Sequence, residues 1–244
     1  MVKSINPGLE EQQAYYDERW PTESERINRL ELLRLVEILR CLCDTKIDFS
    51  RKKMRICDLG CGRGWLSSQM TVLGDVVGVD LSQKGIEHAQ STWPNVQFRQ
   101  ANILEYSSSE PFDIVVSSEV IEHISDKEAY FATIRRILKP GGYVIITTPN
   151  LEIFQEYMKT DPHMQPIEEW ISISDFLRLT KQNFYTIRVG SFLFDYMYIG
   201  KFRYVSAPKL ISACKLLHVD FARISLHRIM NWGLHIIFHG QLRG

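Results

Sequence analysis

The 244 residues carry 29 Lys and Arg against 29 Asp and Glu, and the formally neutral, 45% apolar composition excludes disordered and fibrous classes. A chain of this length fits one large domain with its own core, or one domain with a cap. No run of 18 apolar residues is present, so no membrane-spanning helix is expected, and "MVKSINPGLEEQQ" lacks the apolar stretch of a signal peptide.

The five cysteines, Cys41, Cys43, Cys57, Cys61 and Cys214, are odd in number and form no CxxC pair. Reduced thiols in a cytoplasmic protein are expected, without a disulfide or zinc framework. Residues 1–25 hold six acids and two bases, whereas residues 195–244 hold seven bases and two acids. Such segments are either solvated faces or, for the basic one, a surface for an anionic substrate, nucleic acid or lipid.

The first predicted element is a helix over 27–42, where Ile27, Leu30, Leu33, Val36 and Leu39 recur every three residues. "MRICDL" then reads as a strand and "GWLSSQMTVL" as a helix. "DVVGVDL" is a strand, followed by the helix "SQKGIEHAQSTW" with Ser82 as N-cap. "VQFRQA" and "FDIVVSS" are strands. "KEAYFATIRRIL" is a helix stopped by Pro140-Gly141-Gly142, and "YVIITTP" is the next strand. "WISISDFLRLTKQN" reads as a helix with Ser174 at its N-cap. "FYTIRVGSFLF" and "WGLHIIFHGQL" are two late strands that lack a crossover helix and should pair antiparallel. Strands alternating with helices predict an α/β fold, a parallel sheet with helices on both faces.

"DLGCGRGWLS", residues 58–67, sits at a strand–turn–helix junction, where a parallel sheet builds ligand sites. Its glycines, Gly60, Gly62 and Gly64, allow a ligand to approach the backbone closely. The spacing is G-x-G-x-G, whereas a pyrophosphate site uses G-x-G-x-x-G. Asp58, read as lying within the turn, would repel a pyrophosphate but suits an ammonium or, through water, a methionine-like group. Asp80 ends the next strand, 20 residues after Gly60, where a carboxylate accepts from ribose hydroxyls. The ligand expected is a nucleoside with a cationic tail.

In order and spacing, "ICDLGCGRG", "GVDLS", "FDIVVSSEVIEHI" and "LKPGGYVIITTPN" resemble the class I S-adenosylmethionine-dependent methyltransferases over residues 54–150. The resemblance implies a Rossmann-like fold: a mostly parallel seven-stranded sheet with an antiparallel last strand. It implies that Asp58, Gly60, Cys61, Gly62 and Gly64 surround the methionyl part. Asp80 would hold the ribose, with Leu81, Asn102 and Ile103 around the adenine. Asn102 stands where the family often has Asp. Ser118 and Glu119 would flank the sulfur.

Glu119, Glu122 and His123 stand at i, i+3 and i+4 of "SSEVIEHI", one face if the segment is helical. Three roles fit: His123 as general base, a cation such as Mg²⁺ on the carboxylates and imidazole, or orientation of the helix. The stretch is similar to ubiquinone-biosynthesis O-methyltransferases and to small-RNA 2′-O-methyltransferases, the latter using Glu-x-x-Glu-His with a later His on Mg²⁺. His163 is the later His available here, and the second one of the RNA enzymes is missing. The catalytic candidates are therefore Glu122, His123 and His163, and the metal candidates Glu119, Glu122, His123 and His163.

The expected organisation is an N-terminal helical flap (1–45), a core (46–194), a substrate-cap insertion (195–230) and a final strand (231–244). "YYDERW" would close over the cofactor, with Tyr16 or Arg19 at the substrate. Phe202, Arg203, Tyr204, Lys209 and Phe221 of the insertion would meet the acceptor. The resemblance implies O-methylation of a small-molecule hydroxyl on a sugar, phenol or natural-product intermediate. Methylation of RNA or tRNA and a non-catalytic cofactor-binding scaffold are the alternatives. Zero net charge counts against nucleic acid as partner.

Overall fold

A computed structural model of the chain describes residues 8–20, 26–50, 53–158, 165–193, 204 and 207–243. The helices are α1 (Leu9–Arg19), α2 (Arg29–Cys43), α3 (Trp65–Met70), α4 (Gln83–Thr92), α5 (Lys127–Ile137), α6 (Leu151–Met158), α7 (Ile173–Thr180), α8 (Pro208–Leu216) and α9 (Asp220–Ile229). The strands are β1 (Met54–Leu59), β2 (Gly74–Asp80), β3 (Gln97–Gln100), β4 (Phe112–Ser118), β5 (Leu138–Pro149), β6 (Phe184–Phe192) and β7 (His235–Leu242). A 3-10 turn covers Ile121–His123.

The seven strands form one sheet in the order β3-β2-β1-β4-β5-β7-β6. β1 to β5 pair parallel, and β7 runs antiparallel to both β5 and β6. This is the expected fold. Alternation within each strand divides the core in two. Met54, Ile56, Val76, Ile114 and Ile145 pack with α2, α3 and α4 on one face. Cys57, Leu59, Val77, Val115 and Val144 pack with Tyr130, Phe131 and Phe176 of α5 and α7 on the other. Burying each large apolar side chain contributes about 1.5–3 kcal/mol.

Local chemistry sets the helix starts. Asn28 and Glu31 form a reciprocal capping box on α2, and Ser82 caps α4 by accepting from the Gly85 amide at 2.9 Å. On α7 the cap is Ser172, which accepts from the Asp175 amide at 3.1 Å; Ser174 lies one residue inside the helix. The Pro140-Gly141-Gly142 stop differs too. α5 ends at Ile137, and the three residues lie inside β5, where the pairing to β4 shifts register and Gly141 takes φ +72°. A bulge accommodates a proline and a positive φ without ending the strand.

β1, β2, β4 and β5 all end at one edge of the sheet, at Leu59, Asp80, Ser118 and Pro149. β7 runs the other way and begins there, His235 pairing with Pro149. Asn150 fixes this edge, donating from Nδ2 to the carbonyls of Asn231 (3.1 Å) and Gly233 (3.0 Å). Among the described residues no helix is long and apolar enough to cross a membrane, and all five cysteines are free thiols.

Candidate active site

The carboxyl edge opens into a cavity of about 500 Å³. Its floor is the turn between β1 and α3. Gly60 and Gly62 adopt φ +85° and +51°, a backbone that suits glycine. A Cβ on Gly60 would fall 2.3 Å from the Val120 side chain, and one on Gly62 would fall 3.1 Å from the Trp20 ring. Gly64, at φ +77°, is the N-cap of α3; it faces Phe98 and Ala89, away from the cavity, and serves packing.

Asp80 fixes this floor. It accepts from the amides of Gly62 (2.7 Å) and Ser82 (2.9 Å). Burial raises its pKa and these backbone amides oppose the rise. Asp58 is the fifth residue of β1 and not part of the turn. It accepts from Ser67 Oγ at 2.6 Å, and burial raises its pKa to about 7. Cys61, Leu81, Asn102, Ile103 and Ser118 also line the cavity.

The acid–histidine stretch is not one helical face. Glu119 has φ +59°, a left-handed conformation that costs a non-glycine residue about 1–3 kcal/mol. Its amide donates to the Thr147 carbonyl, and its carboxylate accepts from Thr147 Oγ1 at 2.9 Å. Arg34 Nη2 stands 3.4 Å from that carboxylate and His235 Nδ1 stands 2.7 Å from it. Burial would raise the Glu119 pKa, but Arg34 and His235 together pull it down to about 2. Glu122 is buried and accepts from Thr148 Oγ1 at 2.9 Å; burial and the Glu119 charge raise its pKa well above the usual carboxylate value. The two neighbouring carboxyls are thus pushed in opposite directions, Glu119 toward the anion and Glu122 toward the neutral acid.

His123 Nδ1 lies 2.7 Å from the Ile167 carbonyl oxygen. A carbonyl only accepts, so Nδ1 carries the proton and Nε2 keeps its lone pair, 3.7 Å from Glu122 Oε1. Burial lowers the His123 pKa to about 4, which leaves the ring neutral at physiological pH.

The arrangement gives the Mg²⁺ expectation no support, because Arg34 already stands as the cation beside Glu119, 3.4 Å from its carboxylate. Among the described residues no group of three His, Cys, Asp or Glu is placed to hold a metal ion. His163 lies outside the described residues, as do Phe202 and Arg203.

Side chains that the sequence reading did not single out complete the wall. Arg34 and Glu31 come from α2 and His235 from β7; Glu31 pairs with Arg63 of the glycine turn at 2.7 Å. In the stretch expected as the flap, Trp20 caps the end of α1 and lies on the Gly62 turn, with Tyr16 stacked on it at 5.9 Å and edge-on to His123 at 6.2 Å. Asp17 ties α1 to α4, accepting from Ser82 Oγ (2.6 Å) and the Lys84 amide (3.0 Å). Tyr16 and Arg19 both line the cavity; no described residue of 204–230 does.

A profile for the methyltransferase domain matches residues 50–189. Over 135 residues, 51% of this chain and 53% of the relative, the chain is 35% identical to a ubiquinone biosynthesis O-methyltransferase of Bradyrhizobium sp.. Over 103 residues, 40% of this chain and 42% of the relative, it is 38% identical to the enzyme of that name from Cereibacter sphaeroides. The chain therefore spans about half the length of the curated relatives it matches. The N-methyltransferase NodS from Bradyrhizobium japonicum superimposes with a TM-score of 0.62 at 13% identity, over 95% of this chain and 100% of NodS. The magnesium protoporphyrin IX methyltransferase of Synechocystis gives 0.62 at 14%, over 97% and 99%. The chain belongs to the methyltransferase-domain family and has the class I methyltransferase fold.

Proposed function

We propose that this methyltransferase-domain chain is an S-adenosylmethionine-dependent O-methyltransferase that acts on a hydroxyl of a small molecule. The observation that carries the reading is His123: a neutral, largely buried imidazole on the cavity wall, with Nδ1–H held by Ile167 and the Nε2 lone pair left open. A hydroxyl is a weak nucleophile until a base takes its proton, and a preoriented imidazole provides one. The O-methyltransferase relatives support the same acceptor chemistry.

The side-chain-free Gly60–Gly62 backbone and Asp80 suit S-adenosylmethionine, which supplies an electrophilic methyl group when bound. In this reading Asp80 accepts from the ribose, while Leu81, Asn102 and Ile103 border the adenine. Gly60, Cys61, Gly62 and Asp58 surround the methionyl part, and Ser118 with Glu119 lies near the sulfur. α1 serves as the flap, Trp20 and Tyr16 excluding water from the reacting groups. Alignment of acceptor and donor in one dry cavity is the protein's main contribution. Free cysteines suit a cytoplasmic enzyme.

The test is transfer of labelled methyl from S-adenosylmethionine to a panel of catechols, phenols and sugars. Label on an acceptor oxygen supports the reading. Tight cofactor binding with label appearing only on amines or RNA overturns it.

A further inference from the structure

α9 is built inside out. Arg223 and His227 are its buried residues, at 9% and 1% exposure, while Phe221, Leu226 and Ile229 are exposed at 71%, 51% and 76%. The end of α8 continues this surface, with Leu216 at 80% and its C-cap Leu217 at 69%. A helix that faces only water carries its polar residues outside. A cluster of this kind marks a contact surface.

Arg223 is buried against Asp220 at 2.7 Å and Arg228 pairs with Glu37 of α2 at 3.2 Å, whereas α8 carries Lys209 and Lys215 and no acid. Lys209 and Lys215 are exposed on α8 beside the apolar residues. The connection from β6 to β7 that carries α8 and α9 leaves and returns at the edge of the sheet where the cavity opens.

We propose that α8 and α9 form a docking face for the surface of an anionic lipid bilayer. Exposed Leu, Ile and Phe side chains insert at the headgroup–acyl boundary, while Lys209 and Lys215 meet lipid phosphates. A second copy of the chain is a poorer occupant, because a two-fold contact would set Lys209 and Lys215 of the two copies against each other. Nucleic acid would satisfy the bases and leave Leu216, Phe221 and Ile229 without a partner. The inference concerns the surface alone and stands apart from the choice of methyl acceptor.

Co-sedimentation of the full chain with vesicles tests it, using phosphatidylcholine alone and phosphatidylcholine with about one third phosphatidylglycerol. The chain is expected to pellet with the anionic vesicles and to be released by salt. Lys209→Glu/Lys215→Glu and Phe221→Ser/Ile229→Ser should each lower partitioning at least about tenfold, with thermal melting unchanged. Wild-type chain left in the supernatant overturns the proposal, as does equal pelleting of wild type and both variants. Light scattering that finds a dimer dissolved by Phe221→Ser/Ile229→Ser, without vesicle binding, assigns the face to a second copy and overturns it too.

Discussion

The ring of His123 and the carbonyl of Ile167 meet at 2.7 Å, and this contact decides which imidazole nitrogen can take a proton. Ile167 stands just before α7, so a segment distant in sequence sets the tautomer.

With Nε2 as the base, His123→Ala should lower kcat by about 10²–10⁴-fold while the cofactor Kd stays unchanged. The neutral ring is the active form and its pKa is lowered to about 4. Activity limited by this group should therefore hold down to about pH 5 and fall as pH approaches 4. Stopped assays across pH give both readings. Undiminished turnover in His123→Ala removes the base from the mechanism.

The glycine turn and Asp80 act as one unit, because the Asp80 carboxylate accepts from the Gly62 amide. Asp80→Ala should lose roughly 2–4 kcal/mol of S-adenosylmethionine affinity, two or more hydrogen bonds to an ionised group. Gly62→Val places a β-branched residue at φ +51° and pushes a Cβ toward Trp20, so binding should fail there as well. Calorimetry measures both. Wild-type affinity in Asp80→Ala would free that residue from the ribose.

Short apolar runs alternating with helical stretches, three glycines after a strand and an acid at the end of the next strand are local signals, and they made the sheet and the cavity floor legible. The partners of Glu119 were not legible. Arg34 looks like any polar position on an amphipathic helix, and His235 like one alternate residue of a strand; only the topology brings them to one carboxylate. The left-handed backbone of Glu119 hid for a related reason, since tertiary contacts over-determine it and glycine propensity does not announce it. Pro140-Gly141-Gly142 misled because breaker residues mark a bulge as readily as a loop.

His239 of β7 is fully buried beside the Tyr143 ring, and among the described residues neither ring nitrogen has a hydrogen-bond partner. Burial lowers its pKa to about 4, with the Asp44 charge opposing and Arg188 assisting. The unfolded chain then binds the extra proton between pH 6.5 and about 4, so stability is lost as pH falls through that window. His239→Phe should leave stability unchanged at pH 8 and raise it by about 1–2 kcal/mol at pH 5. Denaturant melts at the two pH values decide this, and equal differences at both would refute it.

Asp58 makes cofactor affinity depend on pH. In the ligand-free protein its pKa is raised to about 7 by burial, so near neutrality the carboxyl is partly protonated. An ammonium or sulfonium bound beside it favours the carboxylate and lowers that pKa. Binding then expels a proton, and linkage requires affinity to rise with pH up to the free-protein pKa. The Kd for S-adenosylmethionine should fall by up to about tenfold between pH 6 and pH 8. Calorimetry in two buffers of different ionisation enthalpy should register the released proton. Asp58→Asn keeps an acceptor for Ser67 Oγ, which donates at 2.6 Å, and removes the titration. The variant should bind with a pH-independent Kd weaker than the wild-type value at pH 8. A pH-independent Kd in the wild type, or the same slope in Asp58→Asn, places the bound cation away from Asp58.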